Sequence, residues 1–128
     1  MGLNEKFFKS AAGGITASDN FAPVLYTGNG GTQSISSLDF QPDLVWIKTR
    51  SNQDSHFLWN SISGANQMLM TNSTSEELTR TGVTAFNSNG FSLGNYGGVN
   101  NSGYTYVAWC WKGGGSSVQN NDGSINGA

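Results

Sequence analysis

The sequence predicts an all-β protein, an antiparallel β-sandwich of jelly-roll type with a short N-terminal helix or arm. Three observations carry this expectation. Glycine (18), serine (17), asparagine (15) and threonine (10) make up nearly half of the 128 residues, and Gly and Asn supply the φ > 0 conformations that tight turns need. Charged residues are 11% of the chain against roughly 25% in an average globular protein, and the strong helix formers Ala, Leu, Glu and Lys are scarce. Apolar residues fall in about eight short runs, at the spacing of roughly 8–12 residues that marks sandwiches and barrels.

At the N-terminus, Asn4 can cap a helix over residues 5–11 that gathers Leu3, Phe7 and Phe8 on one side and Lys6 and Lys9 elsewhere. Two adjacent phenylalanines need burial, either back on their own domain or on a neighbouring subunit or larger assembly. Residues 1–20 are therefore read as a docking segment with Leu3, Phe7 and Phe8 as its candidate contacts. Pro23–Tyr26 and Thr32–Leu38 flank the glycine-rich turn Thr27-Gly28-Asn29-Gly30-Gly31 and read as a hairpin.

The strongest strand is Asp43–Arg50, with Val45, Ile47 and Thr49 on one face and Leu44, Trp46 and Lys48 on the other. Both faces carry bulk, which expects a central strand partly covered on each side. Phe57–Asn60 and Gln67–Met70 are short apolar runs around Ser61-Ile62-Ser63-Gly64-Ala65. Ser73 with Glu76, or Thr74 with Glu77, has capping-box spacing and expects one or two turns of loop helix. Val83–Phe86 leads through Asn87-Ser88-Asn89-Gly90 into the return strand Phe91–Leu93, and Gly94-Asn95-Tyr96-Gly97-Gly98 reads as a loop.

The last strand, Tyr104–Lys112, is again heavy on both faces, and Trp46, Trp109 and Trp111 are expected in the core. Residues 21–114 thus form the sandwich domain. Residues 115–128 have the Gly/Ser/Asn composition of a linker or tail, expected to lead to further modules.

Composition excludes several functions. A net charge of −2 with six scattered basic residues does not suit nucleic-acid binding. No apolar run approaches the roughly 18 residues of a membrane span. The single cysteine, Cys110, excludes an internal disulfide framework and reads as a small buried hydrophobe.

Catalytic and metal residues are assigned to none, and no cofactor is expected. Asp54 and Ser55 beside the only histidine, His56, point to alternate faces of a strand and build no relay. Glu76 and Glu77 are explained by a helix start. Gly28, Gly30 and Gly31 lack the Lys-Ser/Thr of a phosphate loop. Asp39, Asp43, Asp54 and Asp122 are too dispersed for a calcium loop, although the sequence leaves a site built from distant loops open. Asn72-Ser73-Thr74 matches a glycosylation sequon without any secretory feature beside it. Trp59, Tyr96 and Tyr104 sit next to amide-rich loops, and with Asn95 they are the candidates for receptor or glycan contact, because aromatic rings flanked by amides stack on and hydrogen-bond sugars.

Four blocks carry a resemblance. Tyr26-Thr27-Gly28-Asn29-Gly30, then residues 40–50 (FQPDLVWIKTR), residues 87–94 (NSNGFSLG) and residues 106–114 (YVAWCWKGG) together resemble a module of tailed-phage virion proteins, itself similar to concanavalin-A-like and SPRY-type jelly rolls. The resemblance implies a non-enzymatic virion structural protein: a tail fibre or tail-associated adhesin, alternatively a capsid decoration or head-fibre protein. Its partners would be other virion proteins, copies of itself in a homo-oligomer, and a host surface glycan or protein. A free carbohydrate-binding lectin is the second expectation. A jelly-roll glycan hydrolase is the third, and needs two carboxylates in one groove.

Overall fold

In a computed structural model, residues 17–113 are described, and the domain is a sandwich of two antiparallel sheets. A short 3-10 turn, Ala17–Asp19, leads into nine strands among the described residues: β1 (Phe21–Thr27), β2 (Gln33–Ile35), β3 (Leu44–Thr49), β4 (Phe57–Asn60), β5 (Gln67–Met70), β6 (Leu78–Thr79), β7 (Val83–Asn87), β8 (Gly90–Leu93) and β9 (Thr105–Trp111). One helical turn, α1 (Gly97–Asn100), precedes the last strand. The larger sheet has the order β1-β9-β3-β4-β5-β6 and the smaller β2-β8-β7.

Strand alternation decides the core. Val45 and Ile47 of β3, Phe57 and Trp59 of β4, Met68 of β5, and Tyr106, Ala108 and Cys110 of β9 are all buried against Ile35, Val83, Phe91 and Leu93 of the smaller sheet. Leu38, Phe40 and Val99 close the edges from loops and α1. Burying this set of side chains is the main stabilising term, at about 1.5–3 kcal/mol for each large one before chain entropy is subtracted.

Among the described residues strand β1 is an edge of the larger sheet, and it carries Pro23 opposite Trp109. Lacking an N–H, Pro23 leaves a gap in the outward donor row and discourages pairing with another chain there.

Several expectations change. The turn after β1 does not close a hairpin: β1 pairs with β9 and β2 with β8, so residues 28–32 carry the chain from one sheet to the other. The expected helix at residues 73–80 is absent. Ser73 Oγ instead accepts the N–H of Ser75 at 3.1 Å, and Leu78 and Thr79 join the sheet edge beside Gln67 and Met68. The side chain-to-backbone turn competes with helix for the same serines.

Trp46, Trp109 and Trp111 do not enter the core. They are half-buried on the outer face, because on β9 the alternation that turns Tyr106, Ala108 and Cys110 inward turns the tryptophans outward. Cys110 and its tryptophan neighbours cannot share a side of one strand. The β7–β8 hairpin forms as expected, with Asn87 paired to Gly90.

Candidate functional site

The register of the larger sheet gives the domain two poles. Phe21 and Leu44 both pair with Trp111 at one end of β9, while Thr27 pairs with Thr105 and Thr49 with Tyr106 at the other. The described chain therefore begins and ends at one pole, and the two poles are separated by the seven residues of β9, a span of about 20 Å. While the β4–β5 turn, residues 61–66, lies at the near pole beside Asp43, the far pole carries residues 28–32, 51–54 and 94–104, rich in glycine and amides.

Asn100 builds that pole. It is wholly buried, and its Nδ2 donates to Gly94 O at 2.8 Å, Gly31 O at 2.9 Å and Asn29 Oδ1 at 3.1 Å. Its Oδ1 accepts from Gln33 Nε2 at 2.7 Å and from the N–H of Asn29 at 3.0 Å. A buried amide that satisfies every donor and acceptor rigidifies what it holds. Here it clasps the β1–β2 crossover to α1. Gly28 fits because a Cβ there would collide with the carbonyl of Asn101. The Tyr26-Thr27-Gly28-Asn29-Gly30 block is thus a structural clasp.

Two tyrosines hold α1 from below. Tyr26 Oη donates to Val99 O at 2.7 Å, and Tyr106 Oη donates to Gly97 O at 3.1 Å while accepting the N–H of Asn101 at 2.9 Å. Their rings stack with centroids 5.2 Å apart. Burial pushes both phenols above their ordinary range, and it pushes the Cys110 thiol up to about 12.

The sequence candidates are distributed as follows. Asn95 and Tyr96 precede α1, and Tyr104 follows it, so all three belong to the amide-rich pole. Asn95 is exposed, and its Oδ1 accepts from Thr81 Oγ1 at 2.6 Å. Tyr96 is half-buried, packed edge-on to Phe57 with centroids 5.5 Å apart. Tyr104 is half-buried beside the core.

Trp59 is not among them. It is 0% exposed, with its indole lying on Gly82 in the interior, so it offers no ring to a ligand. Leu3, Phe7 and Phe8 lie outside the described residues. Among the described residues no group of three or more His, Cys, Asp and Glu could hold a metal ion. No described helix is long and apolar enough to cross a membrane.

Sequence reasoning missed Asn100. One asparagine among fifteen carries no local mark of being the buried one.

Fold and site define a two-poled β-sandwich whose surface chemistry at the far pole is amide, hydroxyl and aromatic. The chain belongs to the family described as domain of unknown function DUF7483, whose model matches residues 16–128. No curated protein and no solved structure matches it.

Proposed function

We propose that this chain is a non-enzymatic structural module of a tailed-phage particle, a tail fibre or tail-associated adhesin that docks by its N-terminal segment and presents the sandwich outward. The four sequence blocks support the class. The arrangement rests on one observation: the described chain begins and ends at the pole opposite the loops that carry Asn95, Tyr96 and Tyr104. A module held at Leu3, Phe7 and Phe8 then carries Asn95, Tyr96 and Tyr104 on its free end. Burial of each phenylalanine contributes about 1.5–3 kcal/mol, and symmetric copies multiply weak contacts into firm attachment.

The surface loops have the composition of a glycan- or protein-contacting face, with partly exposed rings beside amides. A capsid decoration protein would use the same two poles, with the loops facing outward from the head. A particle map that locates the domain decides between tail and head. Deleting residues 1–14 is expected to abolish incorporation into particles; normal incorporation of the truncated chain overturns the docking reading. A glycan array tests the lectin alternative, which requires saturable sugar binding by the isolated domain, lost in Asn95→Ala.

A further inference from the structure

The sequence holds three Asn-Gly steps, Asn29-Gly30, Asn89-Gly90 and Asn126-Gly127, and the third lies outside the described residues. In such a step the backbone nitrogen can attack the asparagine side chain, because glycine carries no Cβ to shield it. The fold treats the two described steps in opposite ways.

Asn29 is held at both polar atoms of its side chain. Its Oδ1 accepts the N–H of Gly31 at 2.9 Å and Asn100 Nδ2 at 3.1 Å, and its Nδ2 donates to Thr32 O at 2.8 Å. The neighbouring nitrogen is engaged as well, since Gly30 N–H donates to Asn100 O at 2.7 Å. Ring closure at this step requires the Asn100 clasp to open first.

Asn89 is exposed at the tip of the β7–β8 hairpin, and no hydrogen bond to its side chain forms among the described residues. Gly90 closes the hairpin against Asn87, and the last pair at a loop tip opens more readily than pairs inside the sheet. The glycine itself is obligatory, because a Cβ at residue 90 would overlap the carbonyl oxygen of Ile35. The fold thus demands the residue that makes Asn89 reactive.

We propose that Asn89 is a site of spontaneous modification by water. The Gly90 nitrogen attacks Asn89 Cγ and gives up its proton; the new N–C bond closes a succinimide ring, the Cγ–Nδ2 bond breaks, and ammonia leaves. Water then opens the ring at one carbonyl to give aspartate, or at the other to give isoaspartate. Either product adds one negative charge, and no oxidant or reductant takes part. Isoaspartate also reaches the core edge. Asn89 O accepts the N–H of Leu38 at 3.0 Å, and Leu38 is buried. In isoaspartate that carbonyl becomes a free carboxylate beside a main chain one methylene longer, so the support of Leu38 is lost.

The test incubates the full chain in mildly alkaline buffer, folded and in urea, and follows residues 29 and 89 by peptide mass mapping. In the folded chain the conversion of amide to acid is expected about tenfold or more faster at Asn89 than at Asn29, whose clasp must open first. In urea the two rates should converge. Asn89→Gln, whose longer side chain closes a ring far more slowly, should remove the acidic species seen on ion exchange, while in the native chain Leu38 amide exchange should quicken as isoaspartate accumulates. Equal rates at residues 29 and 89 in the folded chain would overturn the proposal, as would an Asn89 that reacts only in urea.

Discussion

The carboxylate of Asp43 accepts the backbone N–H of Gly113 through Oδ2 at 2.6 Å, and through Oδ1 it accepts the hydroxyl of Ser61 at 2.8 Å. One side chain thereby ties the start of β3 to the end of β9 and to the β4–β5 turn. The backbone repeats the link, since Asp43 N–H donates to Trp111 O and Ser61 N–H to Asp43 O, each at 2.8 Å. Two blocks of the sequence seventy residues apart, FQPD and WKGG, meet at this carboxylate.

Asp43→Ala should cost about 1.5–3 kcal/mol, the range for hydrogen bonds to a charged group. Asp43→Asn, which keeps an acceptor oxygen and loses the charge, should cost less. Urea unfolding of the three proteins checks the order; equal stability of wild type and alanine variant would refute the clasp.

Asn100→Asp is expected to destabilise more than its size suggests. The replacement turns a donor aimed at Gly94 O, Gly31 O and Asn29 Oδ1 into an acceptor facing acceptors, inside the protein. A loss of about 3 kcal/mol or more follows from burying an unpaired charge, and amide exchange should show residues 28–31 losing protection first.

Gly82→Ala places a methyl group where the Trp59 indole lies. Overpacking of this kind costs about 1–3 kcal/mol. A double variant with Trp59→Leu should recover part of that loss, because the smaller side chain vacates the space. Thermal melts in a double-mutant cycle measure the coupling, and strict additivity would count against the packing described.

Stability should fall in alkali. Tyr26, Tyr106 and Cys110 all keep their protons in the folded state beyond their ordinary range because they are buried. The unfolded chain releases the thiol proton near pH 9 and the phenol protons near about pH 10, so the unfolded state gains as pH rises. The stability is fully present below about pH 8 and declines through about pH 9–12, by about 1.4 kcal/mol per pH unit for each group ionised only when unfolded. Denaturant midpoints from about pH 7 to 11 read this slope, and Cys110→Ala should move its onset upward by about one unit.

Much of the fold was legible in the chain. The alternation of β3 and β9, the β7–β8 hairpin and the burial of Cys110 all follow from period-two patterning and turn residues. The capping-box spacing at residues 73–80 misled, since serine side chains satisfy local N–H groups as readily without a helix. For the contact candidates, composition marked the loops of Asn95, Tyr96 and Tyr104. It could not separate them from Trp59, which also borders polar residues in sequence and yet points inward.

By itself the sequence determined where the longer strands lie and which residues of β3 and β9 share a face, because those depend on backbone sterics and local turn chemistry; it did not mark the short β6 or the ends of β2. It also announced that β3 and β9 carry apolar bulk on both sides. Only the tertiary structure decided which of the two faces meets the second sheet, and so turned Trp46, Trp109 and Trp111 outward while burying Trp59. It alone selected Asn100 as the clasp of the loop pole. Both choices depend on contacts between residues distant in the chain, such as Asn100 with Asn29 and Asp43 with Gly113. Such contacts leave no mark on local pattern, because they arise when strands from both ends of the chain pair side by side.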